Sequence, residues 1–437
     1  MRFYDIMYQF KIGLIAIITS ILFISSSFSQ VMVSPYSAYG MGMMSEKGFV
    51  ANSGMGNAGI AYQSPWFIPV LNPALLGSQS FSSFEAGLSI TQNNISDEVT
   101  RFRQVNGGLK YISLAFPIVP GKYGLSISLK PLSSKNYEIL QRRRSEEFDP
   151  QAELARFQGS GTISQFSLSN GWNINKNIAV GLEANYNFGN LTDRTVFKNV
   201  INGEDTVAIP YLISAENKDN FSDFSFVLGT KFTKKLGENY LSLGVTYDLE
   251  ANLNTTRNTY LQLLSSTETP ITQLTDSSTF MVAGTEGTTT LPQKISAGLS
   301  YVRPNKWAIL ADFSYQDWRQ YRSFGIAESN YVEETKINIG GEYTPNIQSG
   351  TRYLERVTYR AGINISNGSL VINNNRINSF GITFGTTLPI TQVSNINLAF
   401  EVGQRGTLLN SLVQENYLNF NLSFTFNDRW FLRRQFD

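Results

Sequence analysis

After its first eighty residues the chain is written in alternation: apolar and polar residues take turns over short segments, again and again, to the C-terminus. In the stretch 307–316, Trp307, Ile309, Ala311, Phe313 and Tyr315 fall on one side, and Asp312, Ser314 and Gln316 on the other. Near the end, Leu418, Phe420, Leu422, Phe424 and Phe426 oppose Asn419, Asn421, Ser423 and Thr425. Ile178, Val180, Leu182, Tyr186 and Phe188 likewise oppose Glu183, Asn185 and Asn187. A period of two is that of a β-strand with two different surroundings. A slip of one residue would turn each set to the wrong side, so the pattern also fixes the register. No segment beyond the N-terminus holds the roughly 20 unbroken apolar residues of a spanning helix.

A soluble β-sandwich alternates too, and the links between strands separate the two cases. Strands are expected near residues 83, 106, 122, 161, 177, 222, 239, 291, 306, 334, 354, 378, 395 and 416. Pro120-Gly121 and the segments 173–176, 234–239 and 303–305 read as tight turns. Between them lie long polar links, 131–159, 190–220 and 251–290, and later shorter ones near 319–332, 366–377 and 405–415. Short turns on one side and long loops on the other are the beat of a membrane barrel. The expected fold is all-β, a transmembrane antiparallel β-barrel of about fourteen strands in a bacterial outer membrane. An even strand number leaves both ends in the periplasm. Trp172, Tyr301, Trp307, Trp318 and Trp430 lie near strand ends, where aromatic residues form an interfacial girdle. The preference of strands for aromatics accounts for part of this.

Composition narrows the function. Basic and acidic residues balance, 35 against 34, so nothing marks a nucleic-acid partner. The chain has no cysteine and no histidine. That removes thiolate chemistry, Cys-based metal sites, the commonest general base and the commonest metal ligand. No enzyme, metal or cofactor is expected.

The N-terminus reads as a signal peptide over residues 1–29. Arg2 and Lys11 precede a short apolar core, 12–24, and small residues at Ser27 and Ser29 suit cleavage before Gln30. A retained anchor is the alternative. Residues 30–80 follow with little periodicity and many Gly, Met, Ser and Pro. The barrel is expected over 81–437.

The run Gly54-Met55-Gly56-Asn57-Ala58-Gly59 matches G-x-G-x-x-G. A dinucleotide site needs a strand before it and a helix after it. Here a polar stretch precedes, and Pro65 follows too soon for a helix. The glycines are expected to allow tight backbone in a confined space.

The stretch Gly56-Asn57-Ala58-Gly59-Ile60-Ala61-Tyr62, followed by Asn72-Pro73-Ala74-Leu75-Leu76, resembles the hatch of the FadL-type family of outer-membrane hydrophobic-compound transporters. In that family a Gly-Ala-rich stretch precedes an Asn-Pro-Ala tripeptide just before the first of fourteen strands. Leu291-Pro292, the segment 295–299 and the strand from Trp307 to Tyr315 resemble the family's middle strands. The close match covers about 25 residues, and Gly56, Asn57, Gly59, Asn72, Pro73 and Ala74 carry it. The ending Trp430-Phe431-Leu432-Arg433-Arg434 is similar to relatives in Bacteroidetes-type bacteria.

The resemblance implies that residues 30–80 plug the lumen as a hatch. It implies that hydrophobic molecules such as long-chain fatty acids pass a pocket near it and leave sideways at the third strand. Pro131 ends that strand and is the candidate for the gap, since proline cannot donate to a ladder; plain strand termination is the simpler meaning. By alternation Lys130, Lys231, Lys336 and Arg360 face inward, as do Glu85, Glu183, Asp248, Asp312, Glu342 and Glu401. The cations are candidate carboxylate anchors, Arg360 foremost because a guanidinium grips a carboxylate with two bonds. The alternative is mutual pairing that braces the interior. Met41, Met43, Met44, Met55, Trp66 and Phe67 either line a ligand pocket or pack the plug. Arg142-Arg143-Arg144 falls in an expected outer loop, where it would meet lipopolysaccharide or simply water. Outer-membrane lipid surrounds the whole. The rival reading is a PorV-type barrel, a partner of the type IX protein-secretion machinery.

Overall fold

The computed structural model describes residues 34–428, apart from 99, 145–150, 202–210, 266–278, 349, 351 and 392. The expected signal peptide and the Trp430 ending lie outside the described residues.

Among the described residues, seventeen long strands build one closed antiparallel sheet. They are β1 (Ser82–Ser96), β2 (Arg101–Val119), β3 (Tyr123–Ser134), β4 (Tyr137–Arg144), β5 (Gln151–Asn173) and β6 (Ile178–Ile201). Then come β7 (Tyr211–Leu236), β8 (Asn239–Asp248), β9 (Ala251–Ser265), β10 (Thr279–Leu291), β11 (Lys294–Arg303) and β12 (Trp307–Asp317). Last are β13 (Glu333–Tyr343), β14 (Thr358–Asn367), β15 (Ser379–Pro389), β16 (Ser394–Gly406) and β17 (Gln414–Asp428). Three staves are broken in two, β3 with β4, β8 with β9 and β10 with β11, so the wall has fourteen staves. β1 pairs with β17 from Ser82↔Asp428 to Ser96↔Gln414 and closes the barrel. The chain is a bacterial outer-membrane β-barrel.

Each expected strand position coincides with one stave. The two faces separate as the alternation requires: Ile309 and Phe313 are 59% and 48% exposed on the outside, whereas Leu310 and Asp312 are buried inside. The exposed apolar outer band is the surface that meets lipid. Trp172 and Tyr301 stand on it near turns. Trp318 does not: it is buried inside with Tyr321, so the girdle expectation is corrected there.

The long polar links 131–159, 190–220 and 251–290 also need correcting. They are largely strand. β6 runs for 24 residues and β7 for 26, where about 10 cross a membrane. Arg142–Arg144 pairs with Leu154, Glu153 and Ala152 at the end of β4 rather than in a loop. Above the membrane neither face of a strand meets lipid, so the apolar stripe that announces a strand in sequence disappears.

Residues 34–80 pack inside the barrel. Phe49, Val50, Ile68 and Leu76 join Tyr111, Ala115 and Ala399 of the wall in one buried cluster. Ala51, Met55, Ala58, Tyr62 and Phe67 join Ala308 and Leu310 in another. Inward glycines of the wall make room for this segment. A Cβ at Gly340 or Gly362 would fall on the Met55 backbone, at Gly244 on Ile60, and at Gly171 or Gly181 on Pro73.

Candidate functional site

The hatch is held by its own backbone. Asn57, Gly56 and Gly59 have φ of 62°, 67° and 147°, a left-handed turn that glycine and asparagine tolerate best. The turn aims two N–H groups at one carboxylate. Gly59 N and Ile60 N donate to Asp312 Oδ2 of β12 at 2.6 and 3.0 Å. Gly56 N donates to Thr383 Oγ1 of β15 at 2.8 Å. The G-x-G-x-x-G run thus works as a small anion nest filled by the protein's own wall.

Asn72 explains the Asn-Pro-Ala tripeptide. Its Oδ1 caps the short helix Pro73–Ser78 by accepting from Ala74 N at 3.0 Å, with Pro73 in the first turn. Its Nδ2 donates to Ile60 O at 2.9 Å and to Thr230 O of β7 at 3.0 Å. Pro73 and Ala74 lie against Gly171, Gly181 and Gly229. Met55 and Phe67 are fully buried between hatch and wall and border none of the four cavities of the structure described below.

Above the hatch, three cavities of about 170, 150 and 90 Å³ share Met44, Glu46 and Asn57 in their lining. Their walls are charged. Lys336 sits 3.1 Å from Glu46 of the hatch and 3.4 Å from Glu334. Lys47 of the hatch meets Asp248 at 2.5 Å. Lys130 lies 3.8 Å from Glu183 and its Nζ has no hydrogen bond. Lys294 borders the same space. The Glu46 carboxyl is held well below the usual carboxylate range, first by the Lys336 ammonium and then by Lys294 and Lys110.

Arg360 is engaged elsewhere. Its Nε donates to Glu342 at 2.9 Å and Nη1 to Thr387 Oγ1, while the Tyr62 hydroxyl of the hatch donates to Glu342 from the other side. Glu401 accepts from Asn364, Tyr417 and Asn419, and Glu85 from Tyr111 and Ser423. Inner charges therefore serve bracing more than was required by alternation alone. Lys130 and Lys336 come together at the lumen cavities; Lys231 and Arg360 line a separate cleft below the hatch.

The wall has a seam. β1 pairs along all of β2 from Arg101 to Ala115, but the ladder between β2 and β3 covers only Ile112 to Val119 and stops at Ile112↔Leu129. Pro131 stands just past that last rung, beside a bulge in the β3–β5 ladder. From there the free edge of β3 takes a hatch strand instead: Met43 pairs with Ser134 and Met44 with Ser133. Residues 101–111 of β2 have no ladder partner on that side among the described residues. Glu46, Lys47, Lys110, Lys294 and the inward glycines were not singled out from sequence. Glycines at inward positions of successive strands are the signal that would have found the belt.

A family model described as BamG matches residues 11–437. No curated protein sequence matches the chain. Several solved structures share the fold. The CymD monoaromatic hydrocarbon channel is 13% identical with a TM-score of 0.52, over 92% of this chain and 99% of that one. A Pseudomonas aeruginosa FadL homologue is 12% identical with a TM-score of 0.58, over 88% and 99%. The Ralstonia pickettii toluene transporter TbuX is 14% identical with a TM-score of 0.55, over 87% and 98%.

Proposed function

The chain belongs to the BamG family, and we propose that it gives hydrophobic small molecules, long-chain fatty acids among them, a sideways route at the outer membrane through a plugged barrel. The seam between β2 and β3 carries this reading, because a membrane barrel otherwise closes every ladder. An apolar solute is stabilised by leaving water for lipid, so an opening in the wall suits it better than a water-filled pore. The solved structures of similar fold bear names of hydrocarbon and toluene carriers, which fits this class of solute. The hatch packs inside the barrel and charged side chains line its cavities, so on this reading passage takes the segment around Met43 and Met44 off the edge of β3.

A second reading rests on a different observation. β4, β5, β6, β7, β9 and β10 continue past the rim as an open sheet. On the side that faces the lumen lower down, Phe197, Ile213, Leu261 and Phe280 stand 44%, 45%, 45% and 63% exposed. An apolar surface on such a projection suits a protein partner of the secretion machinery, as in a PorV-type role.

Native mass spectrometry of the detergent-purified protein, beside a form lacking residues 31–80, tests the two. A co-purifying amphiphile that is lost with the hatch supports the route. A stoichiometric protein partner without any apolar ligand overturns it in favour of the second reading.

A further inference from the structure

Below the hatch, at the end of the short turns, lies a cleft of about 600 Å³, larger than any of the three lumen cavities. Its size is that of a small-molecule site. The turns Lys176 and Arg303 to Lys306 form its rim, and hatch residues 61–66 form its roof.

Its charge is one-sided. Lys176, Lys231, Arg303, Lys306 and Arg360 line it against a single acid, Glu342. Arg360 neutralises Glu342. Arg303 turns to Glu238, outside the lining. The Lys306 ammonium donates to the Pro345 carbonyl and lies over the Tyr343 ring, so it meets no carboxylate. Lys231, half-buried on the inner face of β7, makes no hydrogen bond or ion pair among the described residues. A cation in a partly dehydrated wall without a counter-charge is costly unless a ligand supplies one. Low-dielectric walls of one sign of charge also concentrate ions of the other. Serines and threonines make up much of the remaining wall, and four aromatic residues, Tyr62, Trp66, Tyr240 and Trp307, border the cleft among them. Rings beside cations fit a flat apolar body with one anionic end.

We propose that this cleft binds a small organic anion, a flat apolar body carrying one carboxylate or phosphate, with Lys231 as its charge partner. The site lies on the far side of the hatch from the lumen and the seam, so it stands or falls apart from any route through the wall.

The test is calorimetric titration of the full mature barrel in zwitterionic nanodiscs, with empty discs subtracted. The probes are 2-naphthoate and its neutral analogue 2-naphthalenemethanol. One saturable naphthoate site is expected, with the alcohol at least about tenfold weaker, since a charge-assisted contact distinguishes them. Lys231→Ala weakens naphthoate by about tenfold or more, and Lys231→Arg restores it to within about threefold, because the charge returns. Heat-modifiable migration in gels confirms that each variant is folded. Equal binding of acid and alcohol, an unaltered Lys231→Ala, or no signal above empty discs overturns the site.

Discussion

The carboxylate of Asp312, in the middle of a barrel stave, accepts the backbone N–H of Gly59 in the hatch at 2.6 Å. The same oxygen takes Ile60 N at 3.0 Å, so one side chain of the wall holds the turn at the end of the Gly56–Gly59 run. Asp312→Ala leaves two buried donors bare. Such a loss costs about 2–3 kcal/mol. Hydrogen exchange at Gly59 and Ile60 should then rise by about 30- to 150-fold in a barrel that stays folded. Asp312→Asn keeps an acceptor and should lie between. Unchanged exchange in Asp312→Ala would show that packing alone holds the hatch.

The glycine belt predicts a leak. Gly340 on β13 meets the Met55 backbone where a side chain would begin. Gly340→Val must push the hatch off the wall, since the backbone there has no flexible end to yield. Single-channel recordings should show a larger open conductance than wild type. A closed Gly340→Val barrel with normal stability would refute the fit between hatch and wall.

Because the chain has no cysteine, the seam can be locked cleanly. Met43 and Ser134 are directly opposite across the hatch-strand ladder. Opposite residues of antiparallel strands place their Cβ atoms about 4.5–5.5 Å apart, close to the span of a disulfide. Met43→Cys with Ser134→Cys should oxidise to a single band shift in gels. Uptake of a fluorescent fatty acid into cells should fall on oxidation and recover with reductant. Uptake indifferent to the lock would remove the seam from the route.

Arg360 offers a stability test of its own. It binds Glu342, which also holds Tyr62 of the hatch. Removing one partner of a buried pair costs about 3–5 kcal/mol. Arg360→Ala should lower the melting temperature markedly, and Arg360→Ala with Glu342→Gln should recover much of it. A variant with native melting would return Arg360 to the role of a free ligand anchor.

Local pattern carried far in this protein. The period of two in 307–316 and 414–428 depends only on neighbours in the chain, and both segments sit in the wall with the faces assigned to them. Inward placement of Lys130, Lys336 and Arg360 followed from the same parity. The outer extensions of β6, β7, β9 and β10 did not show, because above the membrane both faces of a strand meet water or protein and the contrast between them fades. The strand expected near 354 begins at Thr358, behind a helical turn, Tyr353–Arg356, that parity cannot foresee.

The sequence by itself determined the staves, their two faces and the irregular segment ahead of them, since each is written within a few consecutive residues. Only the tertiary structure decided who meets whom. That Asp312 holds amides rather than a lysine, that Glu342 occupies Arg360, that glycines of many strands form one belt, and that β3 leaves β2 at Leu129 for Met44 are facts of register and closure. They join residues up to hundreds of positions apart, and no local period records them.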